Sequence, residues 1–183
     1  IDQVALIVTI NHPVTSTTFI DRFLATCEAY RVRALLIFNK IDLLTEDELA
    51  QLAELRALYE SIGYETLAIS AKNLNSEAIN AKGSNARSAV NTLLQGKVTL
   101  LSGNSGVGKS TLLNALFGRE ITRTGKISDA HDKGMHTTTF SEMYFLDNGA
   151  IIDTPGIKGF GTIDFEREEV GHFFPEIFKV SRD

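Results

Sequence analysis

A chain of 183 residues, 43% apolar, with a formal net charge of −5, has the length and composition of one ordinary α/β domain. No apolar run approaches the roughly 20 residues that a membrane span needs, so a cytoplasmic protein with no membrane contact and no signal peptide is expected, here as a monomer and as a piece of something longer. The acidic balance argues against a basic nucleic-acid surface within this segment, and the single cysteine, Cys27, excludes an internal disulfide.

Taken in order, Val4 to Ile10 is a short β-branched run of the kind buried on both faces of a parallel sheet, and Asn11-His12-Pro13 ends it. Phe19, Ile20, Phe23, Leu24, Cys27 and Tyr30 recur at helical spacing, which makes Cys27 a buried structural thiol. Val32 to Phe38 is a second buried strand, completing a βαβ unit. Thr45 and Glu48 have the spacing of a capping box for a helix carrying Leu49, Leu52, Leu55, Leu58 and Ile62, stopped at Gly63. Tyr64 to Ile69 is a third strand. Residues 73 to 84 are polar and small and read as an exposed connection; a helix with Val90, Leu93 and Leu94 then stops at Gly96.

The most informative stretch follows. Val98 to Ser102 is an apolar strand, Gly103-Asn104-Ser105-Gly106-Val107-Gly108-Lys109-Ser110-Thr111 is a GxxxxGKS loop, and Leu112, Leu113, Ala115 and Leu116 open a helix. Glycines at 103, 106 and 108 let successive N–H groups point into one concavity at the positive end of that helix, which makes an anion cradle. Lys109 would reach the β- and γ-phosphates as a point charge, and the Ser110 hydroxyl would hold a bridging Mg²⁺. A long polar segment runs from Gly118 to Thr139. Phe140 to Phe145 and Ala150 to Ile152 then flank Asp147-Asn148-Gly149 as a hairpin, and a helix-like segment ends near Val180.

A loop of this kind binds a nucleotide without saying which one. Asn39-Lys40-Ile41-Asp42, at the end of the second strand, supplies the choice. Guanine presents N1–H and an exocyclic amine side by side, and the Asp42 carboxylate can accept both, which adenine cannot satisfy. Asn39 would bond the purine N7 edge or tie this loop to the phosphate loop, and the Lys40 stem would cover one face of the ring. Ser70-Ala71-Lys72 ends the next strand beside that loop, where the Ala71 N–H could donate to guanine O6. Asp153-Thr154-Pro155-Gly156 would hold Mg²⁺ through Asp153 and touch the γ-phosphate through the Gly156 N–H. In His136-Thr137-Thr138-Thr139, Thr138 is the preferred Mg²⁺ ligand, with Thr137 close behind.

All five elements of a GTPase site are therefore present, but in the order base-reading loop, Ser-Ala-Lys, phosphate loop, threonine switch, Asp-x-x-Gly. This is a circular permutation of the Ras-like order. With Gly134-Met135-His136-Thr137-Thr138-Thr139 as its specific mark, the chain resembles the RsgA (YjeQ/YloQ) family of circularly permuted GTPases over nearly its whole length. The resemblance implies a P-loop GTPase fold, with a doubly wound, mostly parallel sheet over residues 1 to 183 and GTP or GDP with Mg²⁺ as ligands. It also implies a role in late maturation of the small ribosomal subunit, contacting it and its rRNA through flanking OB-fold and zinc-binding domains. Neither domain is expected within this chain, so zinc is expected only in the C-terminal one. The sheet should run from the hairpin through strand 98 to 102 and then the strands at 4, 32 and 64.

Where Ras-like enzymes orient water with a glutamine after Asp-x-x-Gly, this chain has Ile157, so slow intrinsic turnover with stimulation by the ribosomal subunit is expected. His136 is the candidate to position water, with Lys109 and Gly156 completing the catalytic set. His12, His131 and His172 have no such context, and Lys158 reads as a solvated loop lysine. The alternative is a GTP/GDP-gated binding module with negligible hydrolysis; an ATP-using enzyme would leave Asn39 and Asp42 without a purpose.

Overall fold

The computed structural model describes residues 1–76, 85–121, 141–154 and 170–180. Six strands form one sheet: β1 (Gln3–Val8), β2 (Arg33–Phe38), β3 (Glu65–Ala68), β4 (Lys97–Ser102), β5 (Glu142–Leu146) and β6 (Gly149–Asp153). Their order is β3-β2-β1-β4-β6-β5, parallel except for the antiparallel β5–β6 hairpin, and it matches the order expected from sequence. Helices α1 (Thr17–Ala29), α2 (Glu46–Ser61), α3 (Ala86–Leu94), α4 (Lys109–Phe117) and the short α5 (Pro175–Val180) complete the described fold.

The period of two along β1 explains the two-sided burial. Ala5 and Ile7 join Leu35, Ile37, Leu101 and Ile151 in a core shared with Val90 of α3 and Leu112, Leu113 and Leu116 of α4. Val4, Leu6 and Val8 face the other way, onto Ile20, Phe23, Leu24 and Cys27 of α1 and Leu52 and Tyr59 of α2. Each such side chain contributes about 1.5–3 kcal/mol when fully buried, so a central strand buried along its whole length anchors both layers. From β1 the chain steps outward to β2 and β3 on one side; β4 then pairs with the other side of β1, and the chain continues to the edge strand β5 before returning to β6 beside β4. The direction of winding therefore reverses between β1 and β4, and a crevice opens there at the carboxyl ends of the strands.

Local signals set the helix ends. Ser16 caps α1 by accepting from the Phe19 N–H at 3.2 Å. At α2 the expected capping box is present: Thr45 accepts from the Glu48 N–H, and the Glu48 carboxylate accepts from the Thr45 N–H at 2.8 Å. Thr45→Ala is expected to lower stability by about 1 kcal/mol, measured as a shift in the denaturation midpoint.

Two expectations need correcting. Leu49, Leu52, Leu55 and Leu58 do not share one buried face of α2: Leu52 and Tyr59 are buried, whereas Leu49 and Leu58 are exposed. A three-residue step falls about 60° short of a full turn, so three such steps carry Leu58 to the side opposite Leu49. The connection beginning at residue 73 is not wholly exposed either, because Leu74 is fully buried in the core that α3 and α4 share. One apolar residue among polar neighbours left no periodic signal there. Of the expected connection, residues 77–84 lie outside the described residues, as do most of the polar segment after Gly118 and Phe140.

Cys27 is buried as expected, and burial, helped by the neighbouring Glu28 carboxylate, pushes its thiol up to about 12. At pH 8 such a thiol is ionised on the order of 10³-fold less than an ordinary one. Reaction with a chromogenic disulfide reagent is therefore expected to be at least about that much slower in the native protein than in denaturant.

Candidate guanine-nucleotide site

Loops from five strands meet at the crevice. After β4 the chain turns through Gly103 to Gly108, with Gly103, Gly106 and Gly108 all at positive φ. Two of these positions are crowded as well. A Cβ at Gly103 would stand 2.5 Å from the Ile7 carbonyl oxygen at the end of β1, and one at Gly108 would stand 2.3 Å from Asn39 Nδ2. The loop is thus pressed against the β1 end on one side and the Asn39 loop on the other, and only glycine permits that approach. Gly108 also caps α4, so the loop delivers its backbone donors to the positive end of a helix.

Asn39 takes up one of the roles expected from the sequence, the tie to the phosphate loop. It is 3% exposed. Its Nδ2 donates to the Val107 carbonyl at 2.8 Å and its Oδ1 accepts from the Ala71 N–H at 2.8 Å. These two bonds tie three loops together, one of the two roles expected for Asn39. The Ala71 N–H, the donor expected for guanine O6, here donates to Asn39 Oδ1. Ser70 is engaged locally, accepting from the Asn73 N–H at 3.3 Å, and Lys72 lies in the short 3₁₀ turn Ala71–Asn73.

Lys40 adopts the left-handed conformation at φ 65°, which lets the chain turn directly into the 3₁₀ turn Ile41–Leu43 that carries Asp42. Its ammonium donates to the His12 carbonyl, and burial lowers its pKa, with Asp42 acting in the opposite direction. Asp42 itself is exposed, and the turn is pinned from below by the Ile41 N–H donating to the Ile69 carbonyl at 3.3 Å. A carboxylate displayed on a braced turn is the geometry that base reading needs.

Lys109 reaches back across the loop it terminates, donating to the Gly103 carbonyl at 2.6 Å and to the Asn104 carbonyl at 3.1 Å. Burial lowers its pKa, and the nearby Asp153 raises it in part. Asp153, at the end of β6, is pushed up by burial, lowered by Lys109 and raised again by Glu142, its partner across the hairpin. The Asp153 Oδ1 and Ser102 Oγ atoms, at the ends of the neighbouring strands β6 and β4, are buried without a hydrogen-bond partner among the described residues. Oxygen donors of this kind suit a hard cation such as Mg²⁺. No cluster of three or more His, Cys, Asp or Glu occurs among the described residues. Thr154 fixes this loop by donating from Oγ1 to the Leu101 carbonyl at 3.0 Å.

Asn39, Lys40, Asp42, Ser70, Ala71, Lys72, the stretch from Gly103 to Thr111 that enters α4, and Asp153 at the end of β6 therefore all lie at or beside one crevice. Gly156, His136 and Thr138, together with Thr137, Ile157 and Lys158, lie outside the described residues. The sequence reading missed the β1 loop. Asn11 donates to Glu48 Oε1 at 2.7 Å, the His12 carbonyl holds Lys40, and Pro13 lies 3.6 Å from the Cβ position of Gly106. Bonds from the Thr45 N–H and Asn11 hold the Glu48 carboxylate below its usual range. The His-Pro pair after the first strand was the only sign that this loop might do more than turn.

The model of the RsgA GTPase family matches residues 1–163. This chain belongs to that family. It is 57% identical to small ribosomal subunit biogenesis GTPase RsgA 2 of Bacteroides thetaiotaomicron, covering 100% of this chain and 56% of that one. It is 53% identical to small ribosomal subunit biogenesis GTPase RsgA of Porphyromonas gingivalis (strain W83), over 100% of this chain and 56% of that protein. The chain thus spans about half the length of the curated family members it matches. Among solved structures, YjeQ from Thermotoga maritima superposes with a TM-score of 0.73 at 34% identity, over 96% of this chain and 55% of that one. YloQ, described as a circularly permuted GTPase, superposes with a TM-score of 0.70 at 28% identity, over 100% of this chain and 54% of that one. The fold is accordingly the circularly permuted GTPase fold of the RsgA family, with the base-reading strand β2 ahead of the phosphate-loop strand β4 in sequence. Among the described residues no helix is long and apolar enough to cross a membrane.

Proposed function

We propose that this chain is the nucleotide switch of a GTPase that acts in maturation of the small ribosomal subunit. The observation that carries the reading is the Asn39 bridge, which couples the phosphate loop at Val107 to the Ser70-Ala71-Lys72 loop and leaves Asp42 displayed beside them. In this reading Asp42 accepts N1–H and the exocyclic amine of guanine, and Lys40, held by the His12 carbonyl, lays its stem along the base. The Gly103 to Gly108 amides cradle the phosphates. Lys109 exchanges its two carbonyl partners for β- and γ-phosphate oxygens. Ser110, Asp153 and Thr138 are the residues assigned to Mg²⁺, which when bound neutralises charge between the β- and γ-phosphates. The Gly156 N–H senses the γ-phosphate, and His136 orients the attacking water.

Named small-subunit biogenesis GTPases at above 50% identity support the ribosomal partner, and a cytoplasmic setting is part of the same proposal. The full-length protein is expected to hydrolyse GTP alone at about 10⁻⁴ to 10⁻² s⁻¹, as unassisted GTPases do, and at least about tenfold faster with purified small subunits, measured as phosphate release. Ile157 in place of a water-orienting glutamine favours a second reading, a switch that works by binding alone. Absence of turnover with small subunits present, while GTP and GDP still bind, would decide for it.

A further inference from the structure

We propose that a furrow along the α1–α2 side of the molecule docks a basic amphipathic segment of a partner protein. Two hollows share Leu58 of α2. One, of about 510 Å³, lies between the β1 loop and α2, where Ile10, Val14 and Leu55 are apolar and Glu54 stands at the side. The other, of about 330 Å³, lies between α1, α2 and α5, where Leu58 and Ile177 are apolar and Asp21 and Glu176 are acidic. Leu58 is 53% exposed, Val14 69% and Ile177 52%, so an apolar strip runs through both hollows at the surface. Exposed apolar residues grouped in hollows and flanked by polar ones are the character of an interaction surface.

Charge selects the occupant. No lysine or arginine is among the described residues lining either hollow, whereas Glu54, Asp21 and Glu176 all are. Asp21 already accepts from the Tyr59 hydroxyl at 2.8 Å. Glu176 is the telling group: its Oε2 is buried without a hydrogen-bond partner among the described residues. A carboxylate oxygen left so is under-satisfied until a cation or donor reaches it. A segment with leucine-like side chains on one face and lysine or arginine on the other meets both demands, and a polyanionic RNA meets neither. One end of the furrow is the β1 loop, whose His12 carbonyl holds Lys40, so an occupant would rest on an element of the nucleotide site.

This inference deepens the proposed subunit role by naming the kind of surface recognised, and it rests on that reading only for where the partner is found. The test uses the full-length protein and two labelled probes followed by fluorescence anisotropy, an amphipathic Leu/Lys helical peptide and its Leu/Glu counterpart, with an unlabelled single-stranded RNA oligonucleotide as competitor. The Leu/Lys peptide is expected to bind at least about tenfold more tightly than the Leu/Glu peptide, and an excess of unlabelled RNA is expected not to displace it. Glu54→Lys and Leu58→Asp are each expected to weaken it about tenfold, with GDP affinity and thermal midpoint unchanged. A photo-crosslinker placed at residue 58 is then expected to join a basic protein of the purified small subunit. Equal binding of the two peptides, displacement of the Leu/Lys peptide by the RNA, indifference to both substitutions, or a crosslink to rRNA or to another part of the same chain would overturn the proposal. Tight, furrow-dependent binding of the Leu/Lys peptide by a protein that does not co-sediment with small subunits would instead sink the subunit role and leave the furrow standing.

Discussion

Gly108→Ala is expected to weaken GDP binding about a hundredfold. At φ 101° an alanine carries backbone strain, and its Cβ would stand 2.3 Å from Asn39 Nδ2. A side-chain tip can usually swing away from such a clash. Asn39 cannot do so freely, because it is buried and bonded at both ends, to Val107 and to Ala71. Moving it breaks the joint between the phosphate loop and the base-reading loops. Strain of about 1–3 kcal/mol and the cost of leaving buried amide groups unpaired, about 1–3 kcal/mol, together come to about 2–6 kcal/mol, and about 3 kcal/mol is a conservative value within that sum. At 1.4 kcal/mol per decade that corresponds to about a hundredfold. Gly118→Ala is the control, since Gly118 also has positive φ but nothing within 4 Å of its Cβ position. Calorimetry with GDP should show a large loss for the first variant and little for the second. Equal losses would mean that strain, and not the Asn39 joint, governs the site.

Asp42→Ala is expected to erase the preference for guanine. Two charge-assisted hydrogen bonds at about 1.5–3 kcal/mol each amount to about 3–6 kcal/mol, so GDP affinity should fall by about 10² to 10⁴ while ADP affinity stays near its already low value. Because Asp42 is exposed on a turn whose backbone is pinned to Ile69, the substitution should leave the thermal midpoint of the nucleotide-free protein unchanged. Calorimetric titration with GDP and with ADP on both proteins reads the ratio. A variant that still prefers GDP by the wild-type margin would show that Asp42 does not read the base.

Much of this architecture was legible because its signals are local. The Thr45 and Glu48 spacing announced the start of α2, and Asp147-Asn148-Gly149 announced a hairpin whose register is Leu146 with Gly149. The Gly103 to Ser110 loop and the Asn39 to Asp42 loop were singled out from residue types alone, and the unbroken apolar run of β1 pointed to a strand buried on both faces. What escaped was contact between residues far apart in sequence. Nothing near Gly108 says that Asn39 crowds it, and nothing near Ala71 says that its N–H donates to Asn39 Oδ1. Leu74 looked like part of a polar connection because its burial depends on α3 and α4 rather than on its neighbours. The three-residue leucine repeat in α2 misled for a geometric reason, since it spirals round the helix instead of staying on one side.

The reversal of winding between β1 and β4 also bears on how the chain is made. β1 is central to the sheet, yet its pairing with β4, Gln3 beside Thr99 through Leu6 beside Ser102, joins segments from opposite halves of the sequence. On a ribosome adding about 5–20 residues per second, β1, β2 and β3 emerge several seconds before β4 does. During that interval one edge of an apolar strand stands open, and the Asn39 amide still lacks its Val107 carbonyl. The nascent first half is thus a sticky, unfinished sheet whose own later sequence is its proper cover. Escape from aggregation would depend on translation speed and on chaperones that shield the β1 edge until the phosphate loop arrives.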